Sequence, residues 1–457
     1  MTRTEKPPIT AYVLVVLIHT ALLFVAIPVL SNLLNLQYGQ DKFPDGYDYL
    51  ANTLVNGHGY RFYPETALTT MREPGYPILL AGLMIAFGNS FTAVKIANLC
   101  FALATAWLMT HLARRVSSAP VVVFIPSLLF LFHPATLIAE GRGGVEILFS
   151  FLIVLFMLAL YRALESNRWW AYVLAGALLG SAVLVKSTPI LFPVFLLGYL
   201  LLADRKHAWA ASGRIALMIA ALFTVLSPWI IRNYSLTGKI IPTASVLGVS
   251  AQAGQYMCEH RSSGEPLRQI DREAAYERDD LARALGYKFK TDDFYYQTFY
   301  ATADEISFSN YLFARVKEKY VQDPLLCLKC VSSNLIWFWT AGKNEEETIA
   351  NALVQLPYLM LGIAGVLLSL RGGTQKVIAP MAVFAVYIVC VCMPILAQAR
   401  YSMPLIPFIS IFAGVTIEWI RSSRNRLTTA GTAATGPISD TDLNAGTAGF
   451  TSRQKDR

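Results

Sequence analysis

Two aspartates, Asp45 and Asp48, lie in the polar segment that follows the first long apolar run of the chain. Asp45 follows Pro44 and comes shortly before the apolar-periodic stretch 49–55, a plausible helix N-cap position. A carboxylate there would accept backbone N–H groups and stay ionised. Such a group could act as a general base for an acceptor hydroxyl or amine. Plain helix capping is the alternative interpretation of Asp45.

Other charged residues lie at the ends of apolar runs rather than in the middle of them. Arginine and lysine bind phosphate oxygens, so this pattern suits a lipid-borne phosphate combined with acid/base chemistry. For any one residue, ending a helix at a membrane interface is an equally simple explanation. The candidates, with two neighbours of the arginines, are Arg72, Glu73, Glu146, Lys186, Arg232, Asn233, Arg400 and Tyr401.

The six cysteines give little support for metal or redox chemistry. Cys327 and Cys330 form a CxxC pair, but no second pair and no histidine pair accompanies it. The spacing also fits one face of a helix, so we interpret the pair as apolar packing. There is no compact ligand set, and we assign no metal-binding residue.

The elements that must position these residues are transmembrane helices. Of 457 residues, 55% are hydrophobic and only 15% are charged, against about 25% charged in a typical soluble protein. This excludes a soluble enzyme, a disordered chain and a nucleic-acid-binding module. Runs of about 20 apolar residues cross a bilayer as helices. We predict ten, at 10–34, 91–112, 121–138, 145–164, 169–185, 188–202, 215–231, 349–370, 377–397 and 402–420.

The basic clusters predict the orientation. The net charge is +8, and with both termini in the cytoplasm every short basic cluster falls inside. This requires that the apolar stretch 76–87, too short for a comfortable span, does not cross the membrane. The transmembrane domain is then 1–426, with outer loops at 35–90 and 233–348. Residues 427–457 form a disordered cytoplasmic tail. We expect a multi-pass protein of the plasma (inner) membrane.

On this topology the charges beside the spans gather at the outer face. A secondary transporter places its polar site near the midplane, often on broken helices in repeated halves, and the sequence shows neither feature. A transporter or flippase of lipid-linked glycans therefore ranks below an enzyme acting at the outer face. A polymerase or ligase of surface polysaccharide is the second alternative.

Five patches of the sequence resemble the GT-C-type membrane glycosyltransferases of the dolichyl-phosphate-mannose protein mannosyltransferase and lipid A aminoarabinose transferase superfamily. The best match is its bacterial galacturonosyltransferase-like branch. The order and spacing of the patches agree with the family from the first span to the last. They are Asp45-x-x-x-Tyr49-x-Ala51 with Gly57-x-Gly59-Tyr60; Arg72-x-Pro74-Gly75-Tyr76-Pro77; Pro134 with Glu146-Ile147-Leu148-Phe149; Pro228-Trp229-Ile230-Ile231-Arg232-Asn233-Tyr234 with Gly238; and Arg400-Tyr401-x-x-Pro404-Leu405-x-Pro407.

The resemblance implies an all-α GT-C bundle and a polyprenyl-phosphate sugar donor in the outer leaflet. It implies transfer with inversion to an acceptor that is a lipid, a glycan or a protein. Asp45 would be the general base, and is preferred over Asp48. Arg232 and Arg400, with Lys186 behind them, would lie on the phosphate side. Glu146 resembles a family acid that positions a metal or the acceptor, so a divalent metal stays open.

Overall fold

The computed structural model describes residues 9–29, 43, 45–203, 208–261, 267–291, 297–342 and 344–434. These residues form helices joined by short turns, with one small β-hairpin. The transmembrane part and first outer loop contain α1 (Ile9–Ala21, continued by the π-helical Leu22–Ala26), α2 (Tyr47–Val55), α3 (Gly75–Phe87), α4 (Phe91–Val116), α5 (Pro120–Leu131), α6 (Pro134–Arg142), α7 (Val145–Ser166), α8 (Trp169–Val185), α9 (Phe192–Ala203) and α10 (Ala208–Thr237).

The second outer loop and the last spans follow. In chain order they are α11 (Leu247–His260), α12 (Leu267–Ala284), β1 (Phe289–Thr291), β2 (Gln297–Phe299), α13 (Thr302–Gln322), α14 (Pro324–Thr340), α15 (Glu345–Arg371), α16 (Gln375–Cys392) and α17 (Ile406–Ala434). Short 3-10 segments precede α9 (Thr188–Leu191) and α17 (Ala399–Leu405). The predicted all-α membrane fold is confirmed, and the hairpin was not predicted.

Seven helices of the described residues are long and apolar enough to span a membrane, or eight if the bent pair α5 and α6 is one span. The chain is therefore a multi-pass membrane protein. The predicted span 121–138 is this pair, bent by 47° where Pro134 begins α6. Two further predicted spans are the shorter apolar helices, α8 and the Thr188–Ala203 segment. The total of ten stays a prediction.

Small residues let helices approach closely in the bundle. A Cβ added to Gly176 of α8 would lie 2.2 Å from the carbonyl oxygen of Met218 on α10. A Cβ on Gly180, one turn later, would lie 3.0 Å from the carbonyl oxygen of Leu222. The small-xxx-small spacing thus brings the two backbones together, as in many membrane helix pairs.

Helix α3 matches the short stretch that we predicted not to cross. Its 13 residues give a length of about 20 Å, short of the hydrocarbon core. Gly75 packs its first turn against the end of α8, where a Cβ would lie 2.7 Å from the carbonyl oxygen of Leu184. Helix α3 therefore joins the first outer loop to the turn that carries Lys186.

The segment predicted to be the second outer loop contains a small apolar cluster of its own. The strands β1 and β2 pair antiparallel, with Phe289 opposite Phe299. Their aromatic side chains pack with helix residues in a second core. The same segment contains α12, α13 and α14. Of the predicted tail, residues up to Ala434 continue helix α17, and residues 435–457 lie outside the described residues.

Candidate active site

Asp45 lies at the centre of a cluster of cationic side chains. It is 5% exposed, and Nη1 of Arg400 donates to both of its carboxylate oxygens at 3.0 Å. Nη2 of Arg72 lies 3.9 Å from Oδ1. Burial alone would raise the pKa of Asp45, but the charges of Arg400, Arg72 and Lys186 outweigh it and lower the pKa to about 2. The carboxylate is therefore ionised at neutral pH.

The capping role predicted for Asp45 is wrong. The N-cap of α2 is Gly46, which adopts the left-handed conformation (φ 69°), and no side chain caps the helix. This turn directs the Asp45 side chain away from the helix end and toward Arg400 and Arg72. The aspartate thus binds the two arginines rather than the backbone N–H groups of α2.

Asp48 lies apart from this cluster, on the first turn of α2. It faces a cavity of about 290 Å³ that is lined mainly by apolar residues of α3 and α4. Its Oδ1 atom is buried and has no hydrogen-bond partner among the described residues. Burial raises the pKa of Asp48 to about 6, against the lowering effect of backbone N–H groups. The two aspartates therefore occupy different environments, although only two residues separate them.

Lys186 and Glu146 form a buried ion pair beside Asp45. Nζ of Lys186 donates to Oε1 of Glu146 at 3.1 Å, with side-chain exposures of 14% and 5%. The same ammonium lies 5.1 Å from the ring centroid of Tyr401, and the guanidinium of Arg400 lies 5.4 Å from it. Tyr401 thus packs beside both cations, and Lys186 adds positive charge near Asp45.

Arg72 and Glu73 are held by the backbone geometry of the first outer loop. The hydroxyl of Tyr60 donates to the carbonyl oxygens of Arg72 (3.2 Å) and Glu73 (2.9 Å). Oε1 of Glu73 accepts a 3.0 Å hydrogen bond from the backbone N–H of Ser187. Both side chains are more than 90% buried. Glu73 therefore joins the loop to the turn after Lys186, while Arg72 extends toward Asp45.

Arg232 and Asn233 lie on the other side of Tyr60. The guanidinium of Arg232 donates to the carbonyl oxygens of Thr69 (2.7 Å) and Tyr60 (3.4 Å). The amide of Asn233 donates to the carbonyl oxygen of Ile241 at 3.0 Å. Both residues bind backbone of the predicted outer loops, and neither forms a hydrogen bond or ion pair with Asp45. The predicted residues thus divide into a cluster around Asp45, the pair Arg232 and Asn233 that binds loop backbone, and Asp48, which lies apart from both.

Sequence reasoning missed two acidic residues of the second outer loop. Glu305 of α13 is 5% exposed and accepts hydrogen bonds from the backbone and side chain of Thr70 and from the hydroxyls of Thr69 and Ser245. Asp271 of α12 is half-buried, and its pKa is raised by burial against the charges of Arg278 and Arg400. No local motif marks either residue: Glu305 binds Thr69 and Thr70, which lie 236 and 235 positions away, and Asp271 is influenced by the distant Arg400.

The residues do not form a metal site. Across the described ranges, no three His, Cys, Asp or Glu side chains come together in a group that could hold a metal ion. Glu146, the acid suggested by the family resemblance, pairs with the ammonium of Lys186. A cation at that distance would repel a metal ion bound to the same carboxylate. We derive no step through a metal.

Known proteins resemble the chain in sequence and fold. Residues 72–231 match the family model described as dolichyl-phosphate-mannose-protein mannosyltransferase. The chain superposes on an oligosaccharyltransferase from Archaeoglobus fulgidus, tethered with an acceptor peptide, with a TM-score of 0.53 and 14% identity over 91% of this chain. It spans half of that oligosaccharyltransferase chain. No curated protein sequence matches it.

A second solved structure, ArnT from Cupriavidus metallidurans bound to undecaprenyl phosphate, superposes less well. Its TM-score is 0.41 at 13% identity, over 89% of this chain and 78% of that one. The family match includes Arg72, Glu73, Glu146 and Lys186. Asp45 and Arg400, the closest pair in the cluster, lie outside the matched residues.

Proposed function

We propose a specific reaction for this chain from the premise that it is a GT-C-type membrane glycosyltransferase, as the family match and the shared fold support. It moves a sugar from a polyprenyl-phosphate-linked donor to an acceptor at the outer face of the plasma membrane, with inversion. The galacturonosyltransferase-like branch stays a prediction. The acceptor is a lipid, a glycan or a protein, and the proposal specifies no particular sugar.

The observation that carries the proposal is the buried, ionised Asp45 among three cations at the end of the membrane bundle. A carboxylate accepts a proton from an attacking hydroxyl or amine, and arginine and lysine bind the oxygens of a phosphate. Arg400, Arg72 and Lys186 all act on Asp45. A sugar phosphate bound here would place its anomeric carbon beside both kinds of group. The family description also names a lipid-phosphate sugar, dolichyl-phosphate-mannose.

The reaction is a single displacement. The acceptor oxygen or nitrogen attacks the anomeric carbon and loses its proton to the carboxylate of Asp45. The bond between the anomeric carbon and the phosphate oxygen breaks, and its electron pair stays on the polyprenyl phosphate. The developing negative charge is stabilised by nearby cations, of which Arg400 is the best placed. One displacement inverts the anomeric configuration.

The ion pair also explains how a weak base becomes effective. With a pKa of about 2, Asp45 has little driving force to take a proton in the resting protein. Arg400 donates to it through one nitrogen only, and its side chain is 32% exposed. A donor phosphate can therefore compete for this guanidinium. Once Arg400 turns to the phosphate, the pKa of Asp45 rises toward the acceptor's operating range.

A disulfide supports the outer side of the membrane for this site. Cys330 bonds with Cys258 of α11, so the packing role expected for it from the CxxC pattern is wrong. Disulfides form in oxidising compartments and are rare in the cytoplasm. The second outer loop carries this bond; its Glu305 binds Thr69 and Thr70 near Arg72, and its Asp271 is influenced by the charges of Arg400 and Asp45. The positive-inside pattern supports the same orientation.

The test uses the purified protein with a panel of polyprenyl phosphate sugars and an envelope extract as acceptor. We expect release of polyprenyl phosphate together with a mass increase of one sugar on an extract component. Comparison of envelope glycans from cells with and without the gene would then identify the acceptor. Unchanged glycans and no donor turnover across the panel would overturn the proposal.

A further inference from the structure

A cationic pocket lies in the predicted second outer loop, separate from Asp45. It has a volume of about 170 Å³ and lies between the end of α11, the middle of α14 and residues Leu396 and Ala397. Its polar lining consists of Arg261, Lys329, Ser333 and Asn334. No acidic side chain is among the described residues that line it. Within the described part of the chain, the pocket therefore offers cations and hydrogen-bond donors and no carboxylate.

Arg261 is the central group of this pocket. Its guanidinium stacks on Trp337, with the Cζ atom 3.2 Å from the ring centroid. The Nη2 atom is buried and has no hydrogen-bond partner among the described residues. Burial lowers the pKa of Arg261 to about 9, so the group is still charged at neutral pH. Arg261 is half-buried and pairs with no acidic side chain of the described residues, so an anion bound in the pocket would supply a counter-charge and a partner for Nη2.

Helix α14 supplies the other pocket residues from one face. Lys329, Ser333 and Trp337 follow one another at intervals of four residues, so they lie along one side of the helix. The disulfide between Cys258 and Cys330 fixes the end of α11, which carries Arg261, against this helix. Arg261 and Lys329 are thus held at the same cavity by a covalent connection.

The same helix also presents a neighbouring apolar face. Leu325, Leu328 and Ile336 are 77%, 64% and 61% exposed. In a membrane protein, such a face next to tryptophan is typical of a helix lying at the lipid interface. The cationic pocket and the apolar face are therefore adjacent, as recognition of a lipid with an anionic headgroup requires.

We propose that the pocket of Arg261 and Lys329 binds the phosphate of a membrane lipid beside α14. Acyl chains would lie along the exposed leucines while the phosphate enters the pocket between the two cations. The lipid is an anionic phospholipid or a polyprenyl phosphate, since both carry this group. The proposal does not depend on the transfer reaction, because no group of the Asp45 cluster lines the pocket.

The test measures lipid binding by the full chain in detergent, using native mass spectrometry and thermal unfolding. The probes are phosphatidic acid, phosphatidylglycerol, undecaprenyl phosphate, phosphatidylcholine and inorganic phosphate. We expect one retained phosphatidic acid, phosphatidylglycerol or undecaprenyl phosphate molecule, and an increase in Tm on its addition. If only the phospholipids bind, the ligand is an anionic phospholipid; if only undecaprenyl phosphate binds, it is a polyprenyl phosphate. Equal binding of inorganic phosphate, or no selective binding, overturns the proposal.

Variants locate the binding site. The double variant Arg261→Gln, Lys329→Gln should bind the preferred lipid at least tenfold more weakly and lose the Tm increase. Its Tm without lipid should change little, because Lys329 is exposed and Arg261→Gln removes a half-buried charge together with its stacking on Trp337. The single variant Arg261→Lys keeps a cation at this position and should bind more tightly than the double variant, though more weakly than wild type. Lys317→Gln, at an exposed position of α13, is the control and should bind like wild type. Unchanged binding in the double variant would contradict the assignment.

Discussion

At the residue scale, the two aspartates of the first outer loop differ more than their positions suggest. Asp45 is held ionised by Arg400 and Arg72, whereas burial among apolar residues raises the pKa of Asp48 to about 6. By its pKa alone, Asp48 would be the better base near neutral pH. Geometry takes precedence, because only Asp45 lies beside the cations that could hold a phosphate. The pH dependence of the reaction separates the two assignments.

The profile of kcat/KM reports ionisations of the free enzyme. With Asp45 as base, we expect kcat/KM to stay flat as the pH falls to about 4. Asp48 as base would give half of the maximal value near pH 6, because a base loses activity as pH falls through its pKa. The kcat profile should show a higher acid pKa than kcat/KM, since the donor phosphate then draws Arg400 away. Initial rates of donor turnover in wild type and Asp48→Asn give both profiles.

The residue chemistry was largely visible in the sequence, but the pairing was not. Arg72, Lys186 and Arg400 could be selected because charged residues are costly beside a membrane, and Asp45 because it precedes an apolar-periodic stretch in a polar segment. The sequence could not predict that Arg400 binds Asp45, because the two residues are 355 positions apart and no local pattern encodes the contact. The capping interpretation failed for the same reason. It considered only the helix that follows Asp45 and not the cations that approach from elsewhere.

At the element scale, Glu305 connects the two outer loops. Its carboxylate accepts four hydrogen bonds, from Thr69, from the backbone and side chain of Thr70, and from Ser245. Thr69 and Thr70 lie three and two residues before Arg72, and Arg232 binds the carbonyl oxygen of Thr69. Glu305 is therefore a positioning residue for the segment that carries Arg72 to Asp45.

Replacing Glu305 should loosen this segment. Glu305→Gln substitutes an amide N–H₂ for one accepting oxygen and leaves a buried donor without a partner, at a cost of about 1–3 kcal/mol. We expect a lower Tm and a raised KM for the donor, because Arg72 is less well held. The matched control is Glu318→Gln at an exposed position of the same helix, which should change neither value. Wild-type Tm and KM in Glu305→Gln would show that the connection is unimportant.

The helices themselves were predictable because their patterns are local. Apolar runs of sufficient length predict spans, and the short run at 76–87 is found as α3. The bend between α5 and α6 was not predicted, although Pro134 now explains its position. The hairpin of β1 and β2 was missed, since strands of three residues carry too little pattern to be recognised.

At the scale of the whole molecule, the orientation rests on the basic clusters and the disulfide. If the second outer loop faces an oxidising compartment, Cys258 and Cys330 form their bond during biogenesis. The denatured protein should then label at four cysteines without reductant and at all six after reduction. Mass spectrometry after maleimide treatment counts them. Six labelled cysteines without reductant would place the loop in a reducing compartment or leave the pair unbonded.

A second measurement of orientation tests helix α3. Asn89 is exposed in the short turn between α3 and α4, and this turn lies outside only if α3 does not cross. We expect Asn89→Cys to react with a membrane-impermeant thiol reagent added to intact cells, in a background that keeps Cys258 and Cys330 alone. Reaction only after the membrane is broken would mean that α3 spans it. The Asn89→Ser variant of the same background is the control.

The central claim is that Asp45 is the base of a sugar transfer from a polyprenyl phosphate donor. A general base contributes roughly 10²–10⁴-fold to a rate. The most direct measurement is single-turnover release of polyprenyl phosphate by wild type, Asp45→Asn and Asp48→Asn at equal amounts of folded protein. We predict a loss of at least about 100-fold in Asp45→Asn and a near wild-type rate in Asp48→Asn. A near wild-type rate in Asp45→Asn would contradict the account.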